Sequence, residues 1–163
     1  MTTLPRLSPI ADGTLQSLLD AQLHLLAEYR YQLTSHLPMA LQALHSLGAS
    51  PQRMQAFYAT YAKRFDGMPV VAATQPVNDW RSLRSQPDAY PALRASMRAL
   101  VTRDGVDATL RALLPDLLPG VAAAAFHGLI RTAHAAQSSH AGEVAAALAY
   151  WAWRWQPMAP AQV

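Results

Sequence analysis

Ala125–Ala135 reads Ala-Phe-His-Gly-Leu-Ile-Arg-Thr-Ala-His-Ala, and into this small, apolar run the chain places His127, Arg131 and His134. Their i, i+4, i+7 spacing puts the three side chains on one stripe of an α-helix. Three such groups are costly to bury without partners, so the stripe faces either a polar cavity or solvent. A histidine there is suited to metal ligation as neutral imidazole, or to proton transfer near neutral pH. Arg131 is suited to an anionic phenolate or carboxylate, or to a structural pair with a carbonyl or acidic side chain. His127 and His134 lie about 10.5 Å apart along a helix, whereas helical pairs chelating one ion sit at i, i+3 or i+4. The spacing therefore assigns one as ligand or base, with the other further along the same pocket. Gly128, beside His127, leaves room for a ligand or a neighbouring helix.

A second histidine has a distinctive place. In Thr34-Ser35-His36-Leu37-Pro38, the proline is tolerable only in the first turn of a helix, which puts His36 at a helix start. There the macrodipole disfavours an imidazolium and keeps the ring able to ligate. The alternative is a capping or core histidine bonded to backbone. His24, His45 and His140 have no supporting context, and His140, in a polar connector, is expected to face solvent.

These side chains need elements to hold them. Leu15, Leu18, Leu19, Leu23 and Leu26 have helical period, with Thr14 or Asp12 as cap, and Met1–Gly13 reads as an irregular lead-in. Leu37, Ala40, Leu41, Leu44 and Leu47 mark a second helix, stopped by Gly48. Ser50-Pro51 launches a third to about Arg64. After a Gly/Pro-broken stretch to Asp79, Asn78 or Asp79 caps a short turn with Trp80 and Leu83. Further helices are expected over Pro87–Arg103 and Ala108–Leu114, punctuated by Asp104-Gly105 and Pro115. The central helix is read as Val121–Gln137. Gln137–Gly142 connects it to a last helix, Glu143–Trp155, whose Tyr150, Trp151, Trp153 and Trp155 call for burial on both sides, a partner subunit being one source. The pattern predicts an all-α fold, a single domain over residues 1–163 with about seven helices in orthogonal or bundle-like packing.

The 163 residues are 52% hydrophobic and 14% charged, a composition for a packed core rather than disorder. The net charge of +3 comes from scattered arginines with no basic patch, which argues against a nucleic-acid partner. Apolar runs break well before about 18 residues and no signal-peptide pattern begins the chain, so neither a membrane partner nor export is expected. The absence of cysteine agrees with the expected cytoplasmic location. No nucleophile-elbow, phosphate-loop, dinucleotide or calcium-loop pattern is present, and no carboxylate pair accompanies the histidines, which leaves histidine-led chemistry.

Three segments together resemble the questin oxidase-like family: Ser35–Ser50, with His36-Leu37-Pro38; Pro119-Gly120 followed by Ala125–Arg131; and the Ala-rich Glu143–Ala152. The resemblance implies an oxidoreductase or oxygenase acting on a small aromatic, polyketide-like substrate, with non-haem iron and NADPH as associated cofactors. His36 and His127 match the motif histidines and are the implied metal or catalytic pair. Arg131 matches the motif arginine, and His134 lies beside the motif. Proteins of the family are longer, with further histidine motifs in a C-terminal half, and two histidines do not complete an iron site. The resemblance therefore implies a homodimer or a separately encoded C-terminal half. The competing expectations are a non-catalytic helical module for small-molecule binding or assembly, and a helical protein whose histidines are satisfied core groups.

Overall fold

The computed structural model describes residues 14–30 and 32–158. The lead-in expected over Met1–Gly13, and Asp12 as a cap, lie outside the described residues. Seven α-helices are present among them: α1 (Thr14–Gln22), α2 (Leu37–Ser46), α3 (Pro51–Ala62), α4 (Tyr90–Asp104), α5 (Val106–Leu117), α6 (His127–Ser138) and α7 (Ala141–Trp153). Short 3₁₀ turns sit at Lys63–Phe65, Trp80–Leu83 and Leu118–Gly120. The all-α class holds. The one addition is a two-residue antiparallel hairpin, β1 (Glu28–Tyr29) with β2 (Leu33–Thr34), pairing Glu28 with Thr34 and Tyr29 with Leu33.

Several boundaries follow from caps readable in the chain. Ser50 accepts from the Arg53 N–H at 3.3 Å ahead of Pro51, and Asp79 accepts from the Arg81 N–H at 3.2 Å. Gly105, at φ +81°, separates α4 from α5. Other boundaries differ from expectation. The first helix stops at Gln22, and Leu25 is buried in the bend that follows. Pro115 lies inside α5 rather than ending it, because Leu113 and Leu117 on either side are core residues. Leu47, expected on the apolar side of α2, falls beyond its end and is exposed.

Two apolar clusters share Leu26 at their border. One joins α1, α2 and α3 through Leu18, Leu19, Leu37, Leu41, Met54 and Tyr58. The other surrounds α7, which packs mainly on α4 and α6, and every residue from Val144 to Ala152 is buried. This chain thus covers Tyr150 and Trp151 fully, while Trp153 and Trp155 are partly buried. The alanines at 145, 146, 147, 149 and 152 leave little side chain to hold neighbouring helix axes apart.

α6 and α7 approach one another closely at Gly128. A Cβ there would lie 2.8 Å from Cγ and 2.9 Å from Cβ of Trp151, closer than real Cβ atoms come. The space opened by Gly128 therefore receives a helix. Gly128→Ala gains helix propensity, by about 1 kcal/mol in a free helix. Here it should instead lower stability by about 1–3 kcal/mol through overpacking. Urea unfolding decides the sign, and an unchanged or raised midpoint would show that the two helices part freely.

Candidate histidine site and its cavity

His36 precedes α2 as its N-cap residue, and His127 is the first residue of α6. The chain brings them together: their Nε2 atoms lie 3.0 Å apart, and the rings meet edge to face with centroids 4.9 Å apart. The opposite nitrogen of each ring is anchored on backbone. His36 Nδ1 donates to the Thr34 carbonyl at 2.9 Å, and His127 Nδ1 donates to the Ala124 carbonyl at 2.6 Å. A carbonyl oxygen can only accept, so both Nδ1 atoms carry hydrogen. In the neutral rings, both Nε2 atoms then present bare lone pairs to one another. Geometrically, such a pair can share a proton or bind one metal ion.

The local backbone that delivers His127 is unusual. Val121–Gln137 was expected to be continuous helix, as its alanines prefer. Instead α6 starts at His127, and Ala124, Ala125 and Phe126 take left-handed φ values of 49°, 51° and 66°. Left-handed L-residues are strained, and helix propensity is worth only tenths of a kcal/mol per residue, so tertiary packing overrides it here. Trp151 Nε1 donates to the Gly120 carbonyl at 3.1 Å, and the Trp155 ring packs where a Cβ on Gly120 would be. These contacts hold the chain entering the turn.

The two histidines stand at one side of an open cavity of about 810 Å3. Its other walls include Glu28, Thr34, Ser85, Trp153, Arg154 and Trp155. Strain gathers around it: of the seven described non-glycine residues at positive φ, Gln32, Ser85, Ala124 and Ala125 line the cavity. A hydrogen-bond path joins three of its lining residues through the buried Tyr150. Arg154 Nε donates to Glu28 at 2.8 Å, Tyr150 donates its hydroxyl to Glu28 at 3.0 Å, and Thr34 Oγ1 donates to Tyr150 at 2.7 Å. Through Thr34 the path reaches His36. Burial, with the Glu28 carboxylate nearby, raises the Tyr150 pKa and keeps that hydroxyl a neutral donor. Behind His36, its backbone N–H donates to the Tyr61 hydroxyl at 2.9 Å. Burial pushes the Tyr61 pKa up to about 12.

Arg131 and His134 are not brought to this cavity. Arg131 is buried and clamped to the equally buried Glu143, with Nε to Oε1 at 2.7 Å and Nη2 to Oε2 at 3.0 Å. Gln22 adds a third bond to Glu143 at 2.5 Å. Burial alone would lower the Arg131 pKa, but the Glu143 carboxylate outweighs it and holds the guanidinium charged. His134 lies at a narrow crevice between α1, α2 and α6, beside Gln42, and its Nδ1 is buried without a hydrogen-bond partner. His140, expected in solvent, is buried as the cap of α7. Its Nδ1 accepts from the Glu143 N–H at 3.0 Å, and its Nε2 donates to Asp20 at 3.0 Å. His45 is exposed in the last turn of α2.

Sequence reasoning missed Glu28, Thr34, Tyr150 and Arg154. Trp153-Arg154-Trp155 carried a signal, a cation set between two rings, but its bulk suggested only burial.

Among the described residues, no group of three or more His, Asp or Glu side chains gathers as a metal cluster, and no helix is long and apolar enough to cross a membrane. A helical protein with a paired-imidazole cavity is the class these features define. Comparison with protein families matches residues 33–161 to the family described as questin oxidase-like. The chain belongs to that family. Comparisons with curated proteins and with solved structures give no match.

Two substitutions test the supports of the site. Arg131→Met strands the Glu143 carboxylate in the core and should cost about 3–5 kcal/mol in chemical denaturation. A loss below 1 kcal/mol on the same scale would mean that the pair is solvated in solution. Ala125→Gly relieves left-handed strain and should stabilise by about 0.5–1 kcal/mol, read as a raised melting temperature. A lowered melting temperature would show that residue 125 is not left-handed in solution.

Proposed function

We propose that this chain is an oxidoreductase component that binds a small aromatic substrate beside a metal ion held by His36 and His127. The observation that carries the reading is the Nε2 pair at 3.0 Å with both Nδ1 atoms committed to carbonyls. Two ligands with bonds of about 2.0–2.1 Å at right angles lie about 2.9 Å apart, so the spacing fits one shared ion. Metal-bound histidines commonly donate the remaining ring N–H to a backbone carbonyl or carboxylate, as both rings do here. Imidazole suits iron, zinc and copper; iron is the choice consistent with oxidoreductase membership, and it supplies one-electron and dioxygen chemistry when bound.

The protein's own groups do the rest. The Thr34 and Ala124 carbonyls orient the rings, the cavity admits the substrate beside them, and Trp153 and Trp155 give it aromatic walls. Two histidines leave coordination positions for water, a substrate oxygen or a ligand from another polypeptide.

The same spacing also accommodates a proton shared between the rings, which favours a second reading as a metal-free binding module. Metal analysis separates the two. After anaerobic incubation with ferrous iron or cobalt and desalting, wild-type protein should retain metal. His36→Ala and His127→Ala should each lose it by about tenfold or more, as removal of one of two imidazoles requires. His134→Ala should match wild type. Metal retained equally by His127→Ala, or none held by wild type, would leave the metal-free reading.

A further inference from the structure

Arg131 lies in the core, which leaves Arg154 as the cation among the described residues that line the cavity. Arg154 follows the last helical residue of α7, and its N–H donates to the Tyr150 carbonyl at 3.0 Å. Its guanidinium is held on two sides. Nε and Nη2 both donate to the Glu28 carboxylate, and Cζ lies over the Trp153 ring, 3.9 Å from its centroid. Trp153 is itself fixed by its Nε1, which donates to the Pro87 carbonyl at 2.8 Å. Glu28 is fixed by the Tyr150 hydroxyl.

The two partners differ in what they have left. Glu28 is nearly buried, and its carboxylate already accepts from Arg154 and Tyr150. Arg154 is more exposed, and its Nη1 makes no hydrogen bond among the described residues. A planar guanidinium stacked on an indole is also a surface on which another aromatic ring can lie. The path from Arg154 through Glu28, Tyr150 and Thr34 ends on His36, so donor and histidine pair are held in one register across the cavity.

We propose that Arg154 is the residue that reads an acidic oxygen, phenolate or carboxylate, on a planar aromatic ligand. The ring of that ligand lies against the Arg154–Trp153 layer, and its other end faces His36 and His127. This assignment rests on the aromatic-substrate reading above and adds its anionic group. Charge-assisted bonds from guanidinium to carboxylate are the stronger class of hydrogen bond, and they distinguish an acid from its neutral isostere.

Titration calorimetry with 1-hydroxy-2-naphthoate and its uncharged amide tests it. Wild-type protein should bind the acid about tenfold or more tighter than the amide. Arg154→Gln should lose that preference. Because it also leaves Glu28 uncompensated, Glu28→Gln/Arg154→Gln is the deciding variant, and it too should show no preference. Recovery of the preference in the double variant would mean that Arg154 merely neutralises Glu28, and would overturn the proposal. Should the glutamine variants fail to fold, Arg154→Lys decides. It keeps a charge near Glu28 but lacks the planar fork, so the preference should fall severalfold, and an unchanged preference overturns the assignment. If wild type binds the acid without any preference over the amide, Arg154 is excluded while the aromatic cavity stands. If wild type binds neither compound, the aromatic-substrate reading fails, and this assignment with it.

Discussion

Everything near the cavity depends on how closely α6 can lie on α7. Gly128 meets Trp151 without an intervening side chain, and the Arg131–Glu143 clamp, one turn further along α6, bridges the same two helices. An apolar contact and a buried ion pair thus fix the same interface, the first by shape and the second by direction. Buried ion pairs add little net stability over apolar packing, yet they penalise any arrangement that separates the charges. With Gln22 from α1 and the His140 cap also converging on Glu143, one carboxylate ties together α1, α6 and α7. That arrangement places the first residue of α6, and hence the His127 ring.

The cavity is where local preference gives way. An alanine-rich approach to α6 is bent left-handed instead of continuing as helix, and Gln32 and Ser85 on the opposing loops share that conformation. Strain of this kind persists only where surrounding contacts over-determine the backbone. Here the Trp151 bond to Gly120 and the Trp155 ring against it supply those contacts. The result is a carbonyl, that of Ala124, turned back onto the Nδ1 atom of His127.

Two polar systems therefore sit on α7 and serve different ends. Toward α6 and α1, Glu143 and Arg131 are sealed in the core and paired through Nε and Nη2, with Nη1 left without a hydrogen bond among the described residues. Toward the hairpin, Glu28 and Arg154, joined through the buried Tyr150, border a space that a ligand can enter. The paired imidazoles belong to the second system through Thr34, whose carbonyl and hydroxyl bind His36 and Tyr150 respectively. Arginines of similar appearance in the sequence thus have different surroundings: Arg131 is fully buried against Glu143, and Arg154 is partly exposed at the cavity against Glu28.

Much of the fold was legible in the chain because its signals are local. Ser50-Pro51, Asp79, Gly105 and the leucine spacing of α1 and α2 act within a turn or two, where side chain and backbone decide without distant help. His36 near a helix start was legible for the same reason, since Pro38 is tolerated only in a first turn. The stripe of His127, Arg131 and His134 was also correctly helical. Periodicity, however, says only that residues share a face, and that face divides here between cavity, buried clamp and crevice. Whether Arg131 met a ligand or an acid depended on Glu143, twelve residues away on the next helix. The start of α6 was illegible too, because alanine favours helix locally and only the indoles of Trp151 and Trp155 oppose it. Sequence alone determined the all-helical class, most of the helical segments and the place of His36 near a helix start. The tertiary structure decided which imidazoles meet and which arginine borders the cavity, because those outcomes depend on contacts between residues far apart in the chain.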